Sequence, residues 1–115
     1  MEIENLRKIC LELPGVTEDV KWDHDLVFSV AGKMFCATSL EIPFKIAFKV
    51  TNEEFDILSE RIGIEPAPYL ARAKWVAVMD PGVLNLQDWE HYIKQSYNLV
   101  KARLPKKTRL DLGIN

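Results

Sequence analysis

Apolar positions along this chain change period several times, and each change marks a new element. Ile3, Leu6, Ile9, Cys10 and Leu13 recur at helical spacing, which predicts an amphipathic helix at the start. Pro14–Gly15 stops it, as a proline–glycine breaker does. A β region follows. The segments DLVFSV and KMFCATS flank Ala31–Gly32, the pattern of a tight hairpin. In FKIAFKV, Phe44, Ile46, Phe48 and Val50 share one face, while Lys45, Ala47 and Lys49 take the other. That alternation predicts a strand covered on one side and wet on the other.

Thr51 and Glu54 have the spacing of a capping box, opening a helix through Phe55, Leu58 and Ile62 with Gly63 as its stop. In PAPYLARAKWV, Pro66 and Pro68 suit a first helical turn, so a one-turn helix over PYLA is expected before a strand at Trp75. KWVAVMD is that strand, closed by the turn DPG. Asn85 then caps a last helix. Its stripe is Leu86, Trp89, Ile93, Tyr97, Val100 and Leu104, spaced 3, 4, 4, 3 and 4 apart and ended by Pro105. Hairpin-linked strands cannot be parallel neighbours. The expected class is therefore α+β: an antiparallel β-sheet with the N- and C-terminal helices on one face and the lysine face open.

Composition narrows the setting. A chain of 115 residues is one domain's worth, residues 1–115, and can build a core without metal or disulfide staples. It is 48% hydrophobic and 28% charged, which excludes a disordered chain. No apolar run approaches a bilayer's span, and the charged, helix-patterned N-terminus does not read as a signal peptide. Two cysteines, Cys10 and Cys36, make no disulfide framework, so a reduced, cytoplasmic setting is expected; a monomer away from membranes is the accompanying expectation. Net charge is −2, unevenly spread. Residues 1–100 hold ten basic and sixteen acidic side chains; residues 101–115 hold five and one. A solvated helix end is the commoner reading of such a basic tail, although it also suits polyanions.

Catalytic signatures are sparse. Cys10, Cys36, His24 and His91 show no short zinc spacing, and neither metal nor cofactor is expected. There is no GxSxG, and the glycines fall singly as turn punctuation. KWDHD is the one dense polar cluster. His24 and Asp25 have the chemistry of an oriented general base, but a polar strand entry, with His24 bonded to a neighbouring carboxylate or backbone group, is the more economical reading. Tyr69, Arg72 and Trp75 fall at i, i+3 and i+6. They suit either a packed anchor, which aromatics at element junctions favour, or an exposed rim. With Trp22, His24 and Asp25 they complete a candidate ligand rim.

Three segments in one order, LPGVTEDVKWDHDLVFSVAGKMF, APYLARAKWV and SYNLVKARLPKK, together resemble the MmcQ/YjbR family of small bacterial proteins. The match is carried by Trp22, His24, Asp25, Pro68, Tyr69, Arg72, Trp75, Ser96, Tyr97, Pro105 and Lys106. Asp23 departs from it, an acid where a small residue is expected. The resemblance implies a frataxin-like α+β fold, DNA binding, and no catalytic residues. On that basis Lys33, Lys45, Lys49, Arg72, Lys74, Lys101, Arg103, Lys106, Lys107 and Arg109 are candidate phosphate contacts, without base readout. The rivals are a protein-interaction module using the Tyr69–Trp75 rim or a sheet edge, and an enzyme with His24 and Asp25 in a cleft.

Overall fold

The structure is a computed structural model and describes residues 1–41 and 44–114. Helix α1 (Ile3–Leu11) leads into strands β1 (Val16–Lys21), β2 (Asp25–Val30), β3 (Lys33–Ser39) and β4 (Ile46–Lys49). Then come α2 (Asn52–Ser59), β5 (Ile64–Pro66), β6 (Trp75–Val78), α3 (Leu86–Lys101) and α4 (Lys106–Leu112). The strands form one sheet in the order β1-β2-β3-β4-β6-β5, and every neighbouring pair is antiparallel. The α+β class with an antiparallel sheet is thus as expected.

The main core lies between one sheet face and the helices. Phe28, Val30, Phe35, Cys36, Ile46, Phe48, Val76 and Val78 meet Leu6 and Cys10 of α1 and Trp89, Ile93 and Tyr97 of α3 there. Removing this much apolar surface from water is the main stabilising term. Both capping boxes form, Thr51 with Glu54 on α2 and Asn85 with Asp88 on α3. The β2–β3 turn at Ala31–Gly32 has φ of 51° and 76°, the two left-handed residues of a type I′ turn.

Several expectations need correction. The helix at Thr51 ends at Ser59 and not near Gly63, and Ile62 is 95% exposed. Gly63 instead turns the chain into β5. At φ +90° it takes the left-handed form, and a Cβ there would lie 2.9 Å from Val83 Cγ1. No helix forms over Pro68–Ala71. Pro66 closes the edge strand β5, and a 3-10 turn comes later, at Ala71–Ala73. Leu86 is exposed and lies off the buried stripe of α3. After Pro105 the chain does not trail away: α4 forms, and Ile114 beyond it packs into the core. Strands β1 and β5 and helix α4 carry no strong apolar period, so the hydrophobic pattern did not reveal them.

Candidate ligand cleft on the helix-free face

The face away from the helices was expected to be wet and lined with lysine. It carries a second apolar cluster instead. Ala67, Trp75 and Ala77 are buried there, with Met34, Ala47, Leu70 and Met79 packed around them. Trp75, 4% exposed, is the packed anchor of its motif. The chain from Ala67 to Ala73 folds over it, fixed by hydrogen bonds from Ala67 N to Trp75 O (3.0 Å) and from Trp75 N to Leu70 O (3.2 Å).

Tyr69 does the opposite of Trp75. It is fully exposed and stands at φ +66°, so the helical geometry that would set it beside Arg72 is broken. Trp22 is similar, 63% exposed at φ 53° in the β1–β2 turn. A left-handed conformation costs a residue with a Cβ about 1–2 kcal/mol. Bulky side chains are uncommon there, and such outliers persist where the surroundings hold them.

These two rings flank a cleft of about 470 Å³. Its floor is Met34, Ala37, Ala47 and Ala67, and Pro68 and Leu70 add to the wall. The register explains the hollow: Val27, Ala37, Ala47 and Ala77 pair in one row across β2, β3, β4 and β6, and three of those four side chains are single methyl groups. Polar groups gather at one end: Asp25, Thr38, Ser39 and Lys45. Volume and lining match a small-molecule site, mostly apolar with a few placed polar groups.

Of the candidate rim, the cleft brings together Trp22, Asp25 and Tyr69. Trp75 lies in the packed layer, Arg72 is exposed on the 3-10 turn, and His24 is outside the lining. His24 Nδ1 lies 3.4 Å from Glu41 Oε1, both largely exposed. Ala37, Ala47 and Pro68 of the cleft were missed as site residues. Only pairing register places the two alanines together, and alanine carries no chemical signal in a sequence; Pro68 reaches the cleft on the loop after β5.

The ten candidate phosphate contacts are scattered. Lys33 is at the β2–β3 turn and Lys45 in the cleft; Lys106, Lys107 and Arg109 are on α4. Lys101 Nζ sits 5.5 Å from the Tyr97 ring centroid. Lys49, Lys74 and Arg103 do come together. Burial, then the charges of Arg103 and Lys74, hold the Lys49 ammonium below its ordinary pKa. Lys49 Nζ donates to Ala73 O, and Lys74 Nζ stands 4.9 Å from the Phe55 ring centroid. Among the described residues, the ion pairs join Arg7 to Glu4 and Glu18, and the one further close contact of this kind is between His24 and Glu41, so none of the ten candidates is in one.

Cys10 and Cys36, far apart in sequence, are both free and completely buried. Burial first, then the hydrogen bond to Cys10, push the Cys36 thiol well above its ordinary pKa. Such a thiol behaves as an apolar side chain and not as a nucleophile. Among the described residues no group of three His, Cys, Asp or Glu could hold a metal, and no helix is long and apolar enough to cross a membrane.

No curated protein matches this chain. Its fold is similar to the crystal structure of the Deinococcus radiodurans protein DR2400, a DUF419 domain. The TM-score is 0.88 and the identity 28%, over 98% of this chain and 88% of the other. The crystal structure of a Pseudomonas syringae protein, a structural genomics target, shares the fold at TM-score 0.73 and 21% identity, over 86% of this chain and 98% of that one. The YjbR family model matches residues 11–99, from the end of α1 to the last turns of α3. On that match the chain belongs to the YjbR family.

Proposed function

We propose that this chain is a binding module whose ligand enters the cleft between Trp22 and Tyr69. The observation that carries this reading is the state of those rings. Both are large, both are exposed, and both are held left-handed at the rim of one apolar hollow. Folding offers no reason to keep them there, since asparagine or glycine suits the backbone better. Ligand contact offers one, because a planar ring provides much contact area at little entropic cost. The test uses anilinonaphthalene sulfonate as a general apolar probe. The native protein should bind it at one site. Trp22→Asn and Tyr69→Asn should abolish that binding while the melting temperature holds or rises. A fall of several degrees would show that the rings serve packing, and the reading would fail.

A second reading rests on Lys49, Lys74 and Arg103, three neighbouring cations with no acidic partner among the described residues. Such a cluster suits successive phosphates of DNA, without base readout. Three neutralised phosphates give a slope of log affinity against log salt near −3. Lys74→Glu with Arg103→Glu should remove duplex binding in a low-salt gel shift, for all sequences equally. Indifference to salt and to this pair rejects it.

A further inference from the structure

The cleft has a polar end with two opposite charges, Asp25 and Lys45, in no ion pair among the described residues, although Lys21 is the register partner of Asp25 across β1 and β2. Asp25 pairs in register with Ser39, and Ser39 N donates to Lys45 O (3.1 Å), so Asp25, Ser39 and Lys45 form one row across adjacent chain segments. The outer two are two segments apart, roughly 9–10 Å at the usual spacing of neighbouring strands. Asp25 and Lys45 both line the cleft, yet no ion pair joins them to each other or to another described residue. One row further along the sheet lies the alanine floor, between the Trp22 and Tyr69 walls.

We infer that the cleft takes a small zwitterion with an apolar body, the chemistry of a free apolar or aromatic α-amino acid. The inference rests on the binding-module reading above and adds the ligand's class. The ligand's ammonium sits at Asp25 and its carboxylate at Lys45. Asp25 and Lys45 stand on either side of Ser39 in that row and both line the cleft, so each can make a charge-assisted hydrogen bond to one end of such a ligand. The side group then lies on Ala37 and Ala47, with Tyr69 and Trp22 beside it. A purely apolar ligand would leave both charges unused. A polyanion would meet Asp25 directly, with Asp23 beside it in the turn. A compound carrying both charges satisfies each end.

The test titrates three related compounds and follows the Trp22 indole N–H by NMR. They are phenylalanine, phenylalanine amide, which lacks the carboxylate, and N-acetylphenylalanine, which lacks the ammonium. Phenylalanine should bind, and each blocked form should bind at least tenfold more weakly. In Asp25→Asn the acetylated form should lose its disadvantage; in Lys45→Gln the amide should lose its own. An unchanged amide spectrum away from the cleft shows that both variants are folded. Equal affinity for all three compounds would overturn the zwitterion inference and leave the cleft a plain apolar site. Failure of all three to bind, with the apolar probe still bound, would overturn it equally and leave the module reading intact. Failure of the probe as well would end both.

Discussion

Ser96 and Tyr97 are consecutive, and each spends its hydroxyl on a backbone group far away in sequence. Ser96 Oγ donates to Phe35 O (2.6 Å) and accepts from Lys49 N (2.9 Å). The β3–β4 pairing ends at Cys36 and Phe48, so Phe35 and Lys49 would otherwise keep unpaired polar groups where the ladder stops. One buried hydroxyl closes both gaps and ties α3 to the sheet. Ser96→Ala is expected to cost about 1–3 kcal/mol in urea unfolding, the usual cost of orphaned buried groups. Tyr97 Oη donates to Pro14 O at 2.5 Å, pinning the turn after α1 to α3. Burial raises the Tyr97 pKa above the ordinary 10.0. A raised folded value means stability that is whole below the unfolded pKa and lost as pH climbs through the folded one. Tyr97→Phe should therefore flatten the loss of stability above pH 10, as thermal melts across alkaline buffers would show. The SYNLVKARLPKK resemblance thus rests in part on residues that hold the fold, and their presence says nothing about a ligand.

Among the elements, α3 carries the most. It presents Trp89, Ile93, Ser96, Tyr97 and Val100 to the sheet, and turns His91 and Lys94 outward as its period predicts. Trp89 is 1% exposed, packs edge-on to Phe48 with ring centroids 5.9 Å apart, and donates from Nε1 to Pro81 O (3.2 Å). Trp89→Ala should cost about 3–5 kcal/mol, the range for deleting a large buried aromatic. A loss under about 1 kcal/mol in urea unfolding would contradict this packing. The element least visible beforehand is β1, VTEDVK. As an edge strand it is mostly exposed and polar. Its alternation is also interrupted, because Glu18 sits in the row of Val16 and Val20 and pairs with Arg7 of α1 at 2.6 Å. A carboxylate in place of an apolar residue hides the period from any hydrophobic pattern.

For the whole molecule, that same pair links the edge of the sheet to the first helix and predicts a response to acid. The Arg7 guanidinium, bonded to Glu18, holds its carboxyl below the ordinary value of 4.5. A lowered folded value gives stability that is present above the unfolded pKa and lost as pH falls through the folded one. Glu18→Gln should remove part of the acid sensitivity below about pH 4.5 and leave melting above it less affected by pH. An unchanged acid limb would mean that the pair adds nothing beyond a solvated contact. The molecule is two-sided: helices seal one sheet face, and the chain from Ala67 to Ala73 covers only part of the other, leaving the cleft beside it.

What the sequence determined by itself was local or periodic. Helices α1, α2 and α3, the Ala31–Gly32 hairpin, β4, β6 and both caps follow from spacing and turn chemistry, which act over a few residues. The antiparallel class follows because short turns permit no other pairing. Of the site, Trp22, Asp25 and Tyr69 were legible as unusual residues, but not as neighbours. Only the tertiary structure decided that the lysine face would become apolar, that Trp75 would be buried and Tyr69 exposed, and that Cys10 would meet Cys36. The physical reason is range. Whether a ring is packed or presented depends on which strand lies beside it, and register between distant strands sets that. Alanines become the floor of a cleft only when neighbouring strands align them, and no window along the chain contains that information.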